Sequence, residues 1–282
     1  MLRIVTDGAV DMPYDWFETY EIHRIPINVH FGDAKTYLQD VELSLTDFYE
    51  LVDGKSLPHP KISQPSPHQF VEYYKKIAQP GDTILSIHIT SKLSGTYASA
   101  AAAAEEVKDT FKVIPVDTLN GSMGTGFMCR SARLMERAGK SVDEIVRFIE
   151  GIRSRTMIIL TLDTLDYARR SGRVGTLSAA LASVLNVKPI ALLQDGIVNM
   201  VDKVRTRKAA LERVLDMAKQ TYGDQPIFLG VVHARDLASG EAMLEEARKR
   251  FNVKESFLTD LSISLAINFG PGTVGVVLYP AE

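Results

Sequence analysis

The chain has 282 residues, 45% hydrophobic and 24% charged, which fits a folded globular protein and excludes both disorder and a fibrous repeat. A formal net charge of -3 offers no field that would gather nucleic acid, so no nucleic-acid partner is expected. The single cysteine, Cys129, excludes an intramolecular disulfide and a thiolate zinc cage; alone, it reads either as a small core residue or as a nucleophile.

Leu2 to Val5 is a short buried strand ending in Thr6-Asp7, and a helix is expected after it with Asp11 as N-cap and Pro13 in its first turn. Asp7 and Asp11 interrupt the apolar start, so no signal peptide is expected. Ile22 to Phe31 reads as extended. Ser44 with Asp47 opens a helix over Leu45 to Val52. Four prolines between Pro58 and Pro67 predict an irregular surface loop, after which Ser66, Pro67 and Gln69 cap a helix over His68 to Ala78. Thr83 to Ile89 is a strand, Ala98 to Ala104 the centre of an alanine-rich helix, and Val113 to Val116 another strand. The glycine-containing loop Asn120 to Gly126 precedes a helix, and Ser141 with Glu144 caps the next.

Beyond about Arg155 the pattern changes. Met157 to Leu162 is a strand, and two helices flank Ser171 to Gly175. Val187 to Leu193 and Ile197 to Val204 form a hairpin across Asp195-Gly196. Helix Thr206 to Lys219, strand Ile227 to His233, helix Leu237 to Arg250 and strands near Phe257 and at Thr273 to Tyr279 follow. The expectation is an α/β protein of two domains. Residues 1–155 form a three-layer α/β/α unit with a mainly parallel sheet. Residues 156–282 form a two-layer α/β unit with a mixed sheet and helices on one face. Even the longest apolar runs fall far short of the ~20 residues that span a bilayer, and the expected location is the cytoplasm.

Ligands of open parallel sheets bind beyond the carboxyl ends of the strands. Hydroxyl-rich loops stand there: Thr6-Asp7, Thr90 to Thr96, and Asp117-Thr118. Ser91, Ser94 and Gly95 precede a helix N-terminus and suit a carboxylate or a phosphate, or else a serine merely caps the helix. Ser63 offers another hydroxyl. Serine hydrolysis through Ser91 or Ser94 is the enzymatic alternative, although no Gly-x-Ser-x-Gly elbow is present. His88 and His233 read as structural, and no spacing suits a metal. Gly121 to Gly126 has neither a dinucleotide nor a P-loop pattern and reads as a place of close backbone approach. The clusters Arg169, Arg170, Arg173 and Lys203, Arg205, Arg207, Lys208 are either solvated surface or a docking patch for an acidic partner or anionic lipid headgroups.

Six stretches carry a resemblance to the DegV family: Ile4 to Asp7, Ser63 to Pro67, Ser91 to Tyr97, Val187 to Ile190, Lys203 to Lys208, and Gly270-Pro271-Gly272. The most specific is Ser91-Lys92-Leu93-Ser94-Gly95-Thr96-Tyr97. The resemblance implies a doubly wound N-terminal domain and a C-terminal domain with a six-stranded mixed sheet. It also implies a long-chain fatty acid such as palmitate, stearate or oleate between them, with no cofactor, and a non-enzymatic carrier. The carboxylate is then expected at Ser63, Ser91, Thr90, Asn268 and the position of Ile62, with Ser94, Gly95 and Thr6 nearby. Some members present their acid to a separate ATP-binding kinase subunit, which phosphorylates it. The arginines at 169, 170, 173, 205 and 207 would serve that partner, or a transient membrane contact. Four positions depart from the family pattern: Ile62 replaces a threonine, Thr90 a serine, Gly8 a serine, and Asn268 a histidine. Asn268 still donates a hydrogen bond but carries no charge, so the departures bear on hand-off to a kinase more than on binding. Another amphiphile, such as a lipid phosphate, is the alternative ligand.

Overall fold

The computed structural model describes residues 1–33, 35–54, 58–173 and 187–281, and the strands among them form three sheets. In the first, β1 (Leu2–Asp7), β2 (Ile22–Ile25), β6 (Thr83–His88) and β7 (Lys112–Asp117) run parallel in the order β2-β1-β6-β7. Their apolar runs follow from burial on both faces. Helices α3 (Pro67–Ile77) and α4 (Thr96–Glu106) cover one face, with Ala100 and Ala103 small enough to let α4 approach closely. Helices α1 (Asp15–Thr19), α5 (Ser122–Arg137) and α6 (Val142–Ile152) cover the other. Reciprocal capping boxes, Ser66 with Gln69 and Ser141 with Glu144, open α3 and α6 where the sequence places them. The chain winds one way from β1 and the other way from β6, which leaves a crevice at their carboxyl ends.

The second sheet has the order β10-β9-β8-β13-β11-β12. It comprises β8 (Met157–Thr161), β9 (Lys188–Gln194), β10 (Ile197–Val204), β11 (Pro226–His233), β12 (Asn252–Asp260) and β13 (Val274–Pro280). Only the β11–β12 pair is parallel. Helices α8 (Arg207–Tyr222) and α9 (Leu237–Arg250) bury one face. The expected hairpin turn is present, with φ of 50° at Asp195 and 80° at Gly196. A Cβ on Gly196 would also lie 2.4 Å from Thr90 Oγ1, so the turn docks on the first half of the chain only as glycine.

The other face of this sheet rests on α5. Gly230 of β11 forms the socket: a Cβ there would stand 2.3 Å from Met123 Sδ. Helix α5 thus presents apolar side chains to both sheets, and one core cluster runs through Phe127, Leu160 and Tyr279. Arg130, further along α5, lies 5.0 Å from the Trp16 ring and 5.3 Å from the Phe228 ring, and donates two hydrogen bonds to the Glu255 carboxylate.

The third, antiparallel sheet has the order β4-β3-β5, from β3 (Asn28–Phe31), β4 (Lys35–Leu38) and β5 (Lys61–Ser63). It packs against α2 (Leu45–Asp53) and α10 (Ile263–Phe269). Several expectations are corrected here. The proline-rich stretch holds β5, because residues 61–63 supply ladder partners for β3 and none of them is proline. The extended run 22–31 breaks at Pro26, so its halves join different sheets. Asp11 caps nothing: α1 begins at Asp15, and Asp11 accepts bonds from distant residues instead. Residues 122–126 are the first turns of α5 and not a loop. Helix α10 was not anticipated. Near Ser171 to Gly175, α7 (Asp166–Ser171) is present, whereas the second expected helix lies outside the described residues.

Candidate functional site

The crevice holds a cavity of about 130 Å³ that is partly open to solvent. One wall is the inner face of the second sheet. Cross-strand register sets Leu193 of β9 beside Ile158 of β8 and Val198 of β10, and sets Ala191 beside Leu160 and Met200. Ile89 and Ala9, from the loops after β6 and β1, face this wall, and Leu261, Leu265 and Phe269 close another side. The lining residues exposed to solvent are Gln64 and Arg173, which mark the opening. Ser94 and Gly95 stand beside Gln64, and Asn268, Ser122 and Ser264 complete the polar part of the lining.

Ile62, Ser94, Gly95, Asn268 and Arg173 are therefore brought together. The Ser94 hydroxyl lies 2.8 Å from Thr96 Oγ1 and accepts the Thr96 N–H at the start of α4. A Cβ on Gly95 would sit 2.7 Å from Gln64 Nε2, so the glycine makes room for that amide. Asn268 Nδ2 donates to the Ser264 carbonyl at 2.9 Å. Arg173 joins the cavity rather than the outer surface alone, and its Nη1 donates to the Ser171 carbonyl.

Other expected residues lie elsewhere. Alternation along β5 turns Ile62 inward and Ser63 to the opposite face, where its hydroxyl is 2.8 Å from His30 Nε2. Ser91 is exposed and donates its backbone N–H to Asp117. Thr90 is buried and donates its hydroxyl to the Gly196 carbonyl at 3.1 Å, which anchors the hairpin. Thr6 is buried within β1. Arg169, Arg170 and Arg205 are exposed, while Arg207 forms a 2.5 Å ion pair with Asp236. Gln64, Ser122 and Ser264 were missed as site residues, although Gln64 stands inside a recognised motif.

Behind the site lie two buried acids. Asp7 accepts hydrogen bonds from the backbone N–H groups of Ala9 and Ile89 and lies 3.0 Å from His88 Nδ1. His88 Nε2 is 2.6 Å from Ser86 Oγ, which in turn meets the Tyr74 hydroxyl at 2.8 Å. The order Asp-His-Ser matches a hydrolase triad, but all three are fully buried and none lines the cavity. Among the described residues, neither Ser91 nor Ser94 hydrogen-bonds a histidine. Asp11 bridges the Ser122 hydroxyl and the Ser262 backbone N–H, joining α5 to the segment before α10. Burial pushes its carboxyl up to about 6; bonds from Ser122 and Ser262 pull it partly back, and the Asp260 charge adds to the rise. Burial also pushes the Cys129 thiol up to about 12, which favours the core reading of that residue. Among the described residues, no group of three or more His, Cys, Asp or Glu could hold a metal, and no helix is long and apolar enough to cross a membrane.

The model of a family described as uncharacterised proteins of the DegV type matches residues 1–281. A DegV domain-containing protein of Deinococcus radiodurans is 33% identical, covering 99% of this chain and 98% of its own. Among solved structures, a DegV family protein of Thermus thermophilus, described by its fatty acid binding, is 29% identical with a TM-score of 0.89 over 99% of each chain. DegV of Bacillus subtilis, described as a fatty acid binding protein, is 28% identical with a TM-score of 0.86 over 99% of each chain.

Proposed function

This chain belongs to the DegV family, and from that premise we propose that it binds one long-chain fatty acid in the cavity, without catalysing a reaction of its own. The observation that carries the reading is the single cavity wall of Ile158, Leu160, Ala191, Leu193 and Val198 leading to an opening with Ser94, Gln64 and Arg173. Each methylene moved from water onto that wall contributes ~0.8 kcal/mol, so the acyl chain supplies most of the affinity. The carboxylate is left to the Ser94 hydroxyl, the amides of Gln64 and Asn268, and the Arg173 guanidinium. The fatty-acid-binding relatives of similar fold support the same ligand class.

Organic extraction of the purified protein followed by mass spectrometry tests the proposal. A long-chain acid in near-equal molar amount is expected; a clean extract together with no uptake of added acid would sink it. Arg173 at the opening suits a phosphate as well as a carboxylate, which keeps a lipid phosphate as the second reading. The same extract separates the two. Presentation of the acid to a separate ATP-binding kinase subunit is the finer role, supported by the exposed Arg169 and Arg170 on the helix that leads to Arg173. Formation of an acyl phosphate when such a subunit and ATP are added tests that role.

A further inference from the structure

A second basin of about 470 Å³, open to solvent, adjoins the cavity. Adjacent residues divide between the two spaces. Ile158 lines the cavity and Met157 the basin, while Gly121 lines the cavity and Leu119 and Asn120 the basin. Among the described residues, Leu193 alone lines both. Along β9 the inward residues are Ala191 and then Leu193, about 6.8 Å further on, after which Gln194 and Asp195 already border the basin. A chain following β9 therefore passes the small Ala191 and meets the Leu193 side chain end on.

Resting on the acyl-binding reading above, we infer that Leu193 is the partition that ends the acyl cavity, sets the preferred chain length, and swings aside to admit longer tails into the basin. Its neighbours on the rung, Ile158 and Val198, are β-branched and stiff at χ1, whereas Leu193 branches one atom later and is half-buried. Gly121 puts no side chain into the cavity at this end; even a Cβ there would meet nothing but Ile89, at 3.4 Å. Beyond the partition, Leu119, Met157, Leu192, Tyr222 and Pro280 offer apolar surface to an emerging methyl end.

The test uses the full chain, stripped of lipid, and competition between palmitate and docosanoate. Leu193→Ala is expected to shift the affinity ratio toward docosanoate by about tenfold, the effect of roughly two further buried methylenes. Leu193→Phe is expected to shift preference toward laurate, and Leu193→Val, the mildest change, to move the ratio in the direction of the alanine variant. A ratio unchanged within about twofold in all three folded variants, against that tenfold expectation, overturns the partition while leaving the acyl-binding reading intact. Failure of the unsubstituted chain to bind any of the three acids overturns both.

Discussion

Asp7, at the end of β1, and Asp11, four residues further on, are both buried, yet they are held in opposite ways. Asp7 is met by two backbone N–H groups and a histidine, all from the loop after it or from the strand beside it and the residue that follows. Asp11 is met by one hydroxyl and one N–H that come from Ser122 and Ser262, and it also feels the Asp260 charge. One acid fastens the crossing point of the parallel sheet. The other fastens two parts of the chain that are far apart in sequence, under strain that depends on its proton. Burial alone therefore does not decide what a carboxyl does; the number and origin of its donors do.

Removing the better-held acid should do most damage. Asp7→Ala leaves the Ala9 and Ile89 N–H groups and His88 without their acceptor, and a loss of about 3–5 kcal/mol is expected in denaturant unfolding. Loss below about 1 kcal/mol would mean that water replaces the carboxylate without cost.

For Asp11 the sign reverses. Burial pushes its folded carboxyl up to about 6 from an ordinary value of 3.8, so between those values the folded state holds more protons than the unfolded one. Stability from this group is greatest below the lower value and falls as pH rises to about 6. Asp11→Asn should abolish that slope and raise stability at neutral pH by on the order of 2 kcal/mol, read from unfolding midpoints across the range. An unchanged slope would show that Asp11 does not supply it. Ser122→Ala, which removes the hydroxyl donated to Asp11, should cost about 1–2 kcal/mol at neutral pH and steepen the same slope. At the cavity opening the effect on stability should be smallest. Ser94→Ala is expected to weaken fatty acid binding by about tenfold in titration calorimetry, and to cost about 0.5–1 kcal/mol of stability because the Thr96 N–H loses its acceptor.

Much of the fold was legible because its signals are local. The capping boxes at Ser66 and Ser141 and the Asp195-Gly196 turn each act within four residues. The site was legible to the level of motif but not of face. Ser63 and Ile62 are neighbours, and only the pairing of β5 with β3 decides which of them turns inward. The prolines around β5 concealed the strand that makes this choice. Helix α10 is short and wholly apolar apart from Ser264 and Asn268, a run that periodicity cannot tell from a strand. The partners of Asp11 lie 111 and 251 residues away, beyond the reach of any spacing rule.

The placing of α5 between two sheets has a consequence for the growing chain. Met123 leaves the ribosome long before its socket at Gly230, and Phe127 long before Tyr279. Synthesis at roughly 5–20 residues per second leaves those side chains uncovered for about 5–30 s. During that interval the first half is complete in its own strands yet bare along one helix. It is then at its most prone to stick to its neighbours, and most in need of a chaperone.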